Sequence, residues 1–165
     1  MNPSQPTKQR LGELLVQRGL ITPAQLEEVL TQQRSTKEFL GAILVRRDLI
    51  KPETLLATLS EQFGIPRESL TPDGVDWTVV KQFPVSALSE GRCFPIRADA
   101  ESVTVAIANP LDAWALSDIE KASGFRKVRA VLVLQDELQR VLRVHYQRAF
   151  HAIEDRIKHD DRQAQ

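Results

Sequence analysis

The stretch RLGELLVQRGLITPAQLEEVLTQQ, residues 10–33, returns five residues later as FLGAILVRRDLIKPETLLATLSEQ, residues 39–62. Aligned without gaps, eleven of the 24 positions are identical: Leu11/Leu40, Gly12/Gly41, Leu15/Leu44, Val16/Val45, Arg18/Arg47, Leu20/Leu49, Ile21/Ile50, Pro23/Pro52, Leu26/Leu55, Leu30/Leu59 and Gln33/Gln62. Chance does not produce such agreement, so the repeat is a structural unit written twice. Each copy reads as a short helix, a turn and a longer helix. Leu11, Leu14 and Leu15 give the i, i+3, i+4 stripe of an amphipathic helix that stops near Gly19. Thr22 then offers a cap, Pro23 suits the first helical position, and Gln25 completes a capping box, with Leu26, Val29 and Leu30 as the buried face. The second copy keeps Pro52 and the stripe Leu55, Leu56, Leu59 but puts Lys51 at the cap, where it accepts no amide bond, so that helix start is weaker by about 1 kcal/mol.

Working outward, residues 1–9 are polar with two prolines and read as a flexible lead. The pattern breaks after Gln62 at FGIPRESLTPDGVD, whose glycines and prolines argue for a linker over 63–80. RCFPIRA and SVTVAIA alternate around ADAE as two strands joined by a polar turn. Residues 109–123 read as a helix with Asn109 as cap, Pro110 at its first position and Gly124 past its end. VRAVLVL is a third strand, and the stretch from Gln135 to Phe150 a helix with Leu138, Val141, Leu142 and His145 on one face; 151–165 is a polar tail. The predicted fold is α+β: an all-helical module of two tandem helical hairpins over 10–62, then a small α/β sandwich over 81–150 in the order strand, strand, helix, strand, helix.

Composition narrows the function. Of 165 residues 27% are charged, yet the formal net charge is zero, which gives no field for wrapping DNA or RNA. The lone Cys93 makes an intrachain disulfide impossible and fits a reducing compartment; with no activating base nearby in sequence it reads as a quiet buried thiol. No apolar leader or long apolar run indicates export or membrane insertion, and cytoplasmic is the expectation. No GxxxxGK[ST] loop occurs, so P-loop nucleotide hydrolysis is not proposed. His145, His151 and His159 build no convergent metal site, and Asp112, Asp118 and Glu120 read as solvated acids. Trp77 and Trp114 read as packing anchors, Trp114 in the core and Trp77 over the linker, and Arg46 as solvated.

Two like hairpins side by side present related surfaces, and a ligand with two equivalent halves is the simplest guest for both. Gly12 and Gly41 allow close approach to backbone, and unpaired first-turn amides favour an anion. Arg10 adds a forked donor set suited to a phosphate or a guanine edge. Leu14, Leu26 and Leu30, with Ile43, Leu55 and Leu59 in the second copy, are able to cover base and ribose faces or to fill the core between helices. Arg18 and Arg47 close their helices favourably for the dipole, with ligand contact the alternative. Gln33 and Gln62 clasp backbone or ligand.

The repeated 24-residue motif with its five-residue spacer resembles the MshEN form of the amino-terminal domain of type II secretion and type IV pilus assembly ATPases. The resemblance runs from residue 10 to about 147, through CFPIRADAESVTVAIANPLDAWALSDIEKASG and VRAVLVLQDELQRVLRVHY. It implies a non-catalytic receptor for cyclic di-GMP, one motif per half of the ligand, acting on a protein partner of a secretion, pilus or motility system. Carried onto this chain, the motif falls on Arg10, Leu11, Gly12, Leu15, Gly19, Leu20, Leu26, Leu30 and Gln33, and on Leu40, Gly41, Leu44, Leu49, Leu55, Leu59 and Gln62. Two positions depart from it: Phe39 stands where the first copy has Arg10, and Asp48 where it has Gly19. The family also supplies an alternative, a protein-interaction adaptor that docks on an assembly component without the dinucleotide. The chain is then either an excised domain or a freestanding receptor.

Overall fold

The computed structural model describes residues 10–84, 88, 91–124 and 127–163, with the side chains of 113–116, 118 and 160–163 left aside. The lead at 1–9 and the side-chain expectations for Trp114 and Asp118 lie outside the described residues. The chain divides into two compact units, one ending at Ile65 and one beginning at Pro66.

The first unit is the two hairpins. Helices α1 (Leu11–Gln17) and α2 (Pro23–Thr36) form the first, α3 (Leu40–Arg46) and α4 (Pro52–Phe63) the second. Their apolar faces meet in one core of Leu15, Ile21, Val29, Ile43, Leu44 and Ile50, each at most 7% exposed. The expected capping box is present at α2: the Gln25 N–H donates to Thr22 Oγ1 at 3.2 Å and the Thr22 N–H to Gln25 Oε1 at 2.8 Å. Lys51 makes no side-chain cap. Both short helices end in the same left-handed stop. The Gly19 and Leu20 amides bond back to Val16 and Leu15, and those of Asp48 and Leu49 to Val45 and Leu44, all at 2.9–3.0 Å. Where the first copy buries Val29, the second buries Thr58, whose hydroxyl is satisfied by the Thr54 carbonyl at 3.0 Å.

The second unit is a three-stranded sheet, β1 (Cys93–Ala98), β2 (Ser102–Ile107) and β3 (Lys127–Leu132), in that spatial order. β1 and β2 are antiparallel, as a short polar turn dictates, and β2 and β3 parallel across helix α6 (Ala113–Ala122). Helix α7 (Gln135–Gln163) packs Leu138, Val141 and Leu142, all at most 2% exposed, into its core, where Cys93 is also buried.

Four details differ from the reading of the sequence. The half-exposed alternation expected of the first two strands is replaced by burial at four successive residues of β1 and at five of six in β2, so both sheet faces are covered. The stretch read as a linker carries helix α5 (Trp77–Val80) and is stitched to the sheet of its own unit: Leu132 exchanges backbone bonds with Pro66 and Glu68, and the Asp76 N–H donates to the Ile96 carbonyl at 2.8 Å. Asn109 does not cap a helix; its Oδ1 accepts the Leu111 N–H in an Asx turn, and α6 begins only at Ala113. The residues read as a polar tail continue α7 to Gln163, because nothing between Phe150 and Gln163 breaks a helix: no glycine or proline occurs there.

Candidate functional site

The starts of α1 and α3 are the repeat's equivalent points. Arg10 and Phe39 hold the N-cap places in extended backbone, and neither side chain caps its helix. Arg10 is exposed, and among the described residues its guanidinium makes no hydrogen bond or ion pair. Phe39 is 50% exposed. Among the described residues, one hairpin therefore offers an unpaired cation and the other a half-exposed ring.

The expected apolar residues separate into two groups. Leu15, Ile43, Leu44 and Leu59 lie in the interior, at 0%, 0%, 0% and 5% exposure. Leu11, Leu14, Leu26, Leu30, Leu40 and Leu55 are half-buried, packed on one side and open on the other. Gly12 and Gly41 serve packing. A Cβ on Gly12 would meet Leu26 Cδ1 at 2.5 Å, and one on Gly41 would meet Leu55 Cδ2 at 2.8 Å, so each glycine lets its hairpin's second helix press a leucine onto the first. The close approach that the glycines permit is thus taken up in this structure by Leu26 and Leu55 rather than left open.

Charged side chains hold the hairpins in register. Arg18, at the end of α1, pairs with Glu61 of the second copy at 2.8 Å, and its repeat equivalent Arg47 pairs with Glu28 of the first copy at 2.9 Å. The exchange is reciprocal, and because all four groups are substantially exposed each pair contributes less than about 1 kcal/mol. Gln33 donates from Nε2 to the Glu38 carbonyl at 3.0 Å, bracing the five-residue connection. Gln62, in the last turn of α4, is half-buried, and Asp48 is exposed. Arg46, read from sequence as solvated, is exposed and also forks onto both Glu38 oxygens at 2.7 Å, and that guanidinium holds the Glu38 carboxyl below its ordinary range.

A groove of about 430 Å³ runs between α1 and α2, floored by Val16, Leu26 and Leu30 and edged by Glu13, Glu27 and Arg34. Leu26 and Leu30 were anticipated. The charged rim was not, although Glu27, Leu30, Thr31 and Arg34 stand three and four apart and so share one face of α2.

The MshEN domain profile matches residues 63–152, more than half of the chain. The chain belongs to the MshEN domain family. The matched part begins where the repeat ends, so the hairpins are placed by the wider likenesses. Against type IV pilus assembly ATPase PilB of Myxococcus xanthus this MshEN domain is 26% identical over 146 residues, which is 88% of the chain and 26% of that protein. Against PilB of Thermus thermophilus it is 30% identical over 117 residues, 70% of the chain and 13% of that protein. The chain thus spans about a quarter or less of the length of these relatives. Among solved structures it resembles MshE with cdg at 25% identity and a TM-score of 0.70, covering 81% of this chain and 96% of that one. The N-terminal domain of XpsE shares the fold at 19% identity and a TM-score of 0.66, covering 86% and 97%.

Proposed function

We propose that this MshEN domain is a non-catalytic regulatory module that binds cyclic di-GMP across its two hairpins. The observation that carries the reading is the duplicated hairpin, folded twice the same way around one core, in a chain resembling MshE with cdg over most of its length. A ligand of two guanosine halves joined by two phosphates fits a receptor of two like parts. Arg10 supplies the charged fork to a phosphate or a guanine edge. Half-exposed Leu14, Leu26 and Leu30 in one hairpin, and Leu40 and Leu55 in the other, supply apolar cover for base and ribose, while buried Leu15, Ile43, Leu44 and Leu59 shape the surface from beneath. Leu11, Gly12 and Gly41 set how the helices approach, and Arg18, Gln33 and Gln62 act as braces. Phe39 takes the second cation's place with a ring able to stack on a base, and Asp48 stands clear of the ligand.

Binding stiffens the hairpin pair and alters the surface offered to a protein partner of a secretion, pilus or motility system. Cytoplasmic placement follows from that role; among the described residues no helix is long and apolar enough to cross a membrane. The exposure of Phe39 in place of a second arginine also supports an adaptor reading, in which the same face docks a protein without the dinucleotide.

Calorimetry distinguishes the two. The receptor reading gives saturable cyclic di-GMP binding at micromolar concentration, and Arg10→Ala weakens it at least tenfold with little change in melting temperature. Absence of saturable binding by the folded wild-type chain leaves the adaptor.

A further inference from the structure

The groove between α1 and α2 carries charges that the second hairpin does not repeat. Glu13, Glu27 and Arg34 edge it, all three exposed, and among the described residues none of their side chains makes a hydrogen bond or ion pair. Arg18, Arg46 and Arg47 of the same unit are all paired. In the second copy every one of these positions is apolar: Ala42 stands for Glu13, Leu56 for Glu27 and Phe63 for Arg34, just as Phe39 stands for Arg10. The floor differs too. Leu30 is half-buried and lines the groove, whereas its equivalent Leu59 is 5% exposed. The two hairpins thus share a backbone but not a surface chemistry.

We propose that they read the two bases of the ligand unequally: Glu27 selects guanine in the first hairpin, while the second accepts either purine. The chain then binds any cyclic dinucleotide that holds one guanine, the mixed guanine–adenine compound included. This rests on the cyclic dinucleotide reading above and adds to it which half is read, and by which residue. Glu27 and Arg34 are seven residues apart on one face of α2, about 10 Å along the axis, with Leu30 between them. Carboxylate, apolar floor and cation in that order complement base edge, base face and phosphate of one guanosine half. Guanine's outer edge presents two adjacent donors, N1–H and the 2-amino group, and a carboxylate accepts both as a fork. The second amino hydrogen is left for Glu13 on the α1 wall. Adenine instead sets the lone pair of its N1 against the carboxylate oxygen, so Glu27 rejects it. In the second hairpin Ala42 and Leu56 offer no acceptor, and the Phe39 ring, 50% exposed, stacks on guanine and adenine alike.

The test is calorimetry of the full 165-residue chain with cyclic di-GMP, the mixed guanine–adenine cyclic dinucleotide and cyclic di-AMP. The first two should bind within about fivefold of each other, and cyclic di-AMP about 10- to 100-fold more weakly, the worth of hydrogen bonds to a charged acceptor. Glu27→Gln replaces one acceptor oxygen by a donor and suits adenine. It should weaken both guanine-containing ligands at least tenfold and leave cyclic di-AMP unchanged or tighter, with the melting temperature unmoved. Three results overturn the proposal while leaving a cyclic di-GMP receptor standing: the mixed compound at least tenfold weaker than cyclic di-GMP, cyclic di-AMP bound as tightly as cyclic di-GMP, or Glu27→Gln weakening all three alike. Failure of the folded wild type to bind any of them removes the receptor reading as well. Should Glu27→Gln unfold, the wild-type ranking of the three ligands decides.

Discussion

Asp48 sits where the first copy has a glycine, at φ +54° against +67° for Gly19. Aspartate tolerates this left-handed geometry better than most residues, at a cost that glycine avoids. Asp48→Gly should therefore raise stability by about 0.5 kcal/mol after glycine's larger unfolded-state entropy is counted. A urea titration checks it through a higher midpoint at unchanged slope, and cyclic di-GMP affinity should hold or improve. His145 is a second residue with a readable environment. Its ring meets Phe94 edge-on with centroids 5.6 Å apart, its Nε2 is buried without a partner, and desolvation lowers its pKa. A histidine kept neutral by folding contributes stability that is complete above its unfolded value near 6.5 and lost as pH falls through its folded value. Wild type should lose stability as pH falls below about 6.5, and His145→Leu should flatten that part of the profile. The further loss below about pH 4.5 should persist in the variant, because hydrogen bonds hold the Glu68, Asp76 and Asp99 carboxyls below their usual range.

At the scale of elements, the capping chemistry of the two long hairpin helices was legible. Thr22 with Gln25 closes its box and Lys51 does not cap, because these bonds join residues three apart and depend on nothing distant. Lys51→Thr should stabilise α4 by about 1 kcal/mol, measured as a rise in melting temperature of several degrees. The start of α6 was misread for a related reason. Asn109 before a proline serves an Asx turn as well as an N-cap, and local sequence does not choose between them. The linker reading of 63–80 failed on a longer-range cause: glycines and prolines mark turns truly, but they do not reveal that the turns are tied to sheet edges by backbone bonds to Leu132 and Ile96.

For the whole molecule, both tryptophans, Trp77 and Trp114, fall in the unit that begins at Pro66, whereas helix is shared by both units. Leu15→Ala, at a fully buried position of the hairpin core, should cost about 2–5 kcal/mol. In guanidinium unfolding it should move the far-UV circular dichroism transition and leave the tryptophan fluorescence midpoint where it was; equal movement of both would mean that the two units unfold as one. The sequence by itself determined that a hairpin is written twice, where its helices begin and end, and that a strand–strand–helix–strand–helix unit follows, since periodicity, caps and turn residues act over three or four positions. Only the tertiary structure decided which leucines are interior and which half-open, that Leu26 and Leu55 close over Gly12 and Gly41, and that Arg18 and Arg47 cross to the opposite copy. Those outcomes depend on how one helix lies against another, and a stripe of leucines has the same spacing whether a second helix covers it or a ligand does.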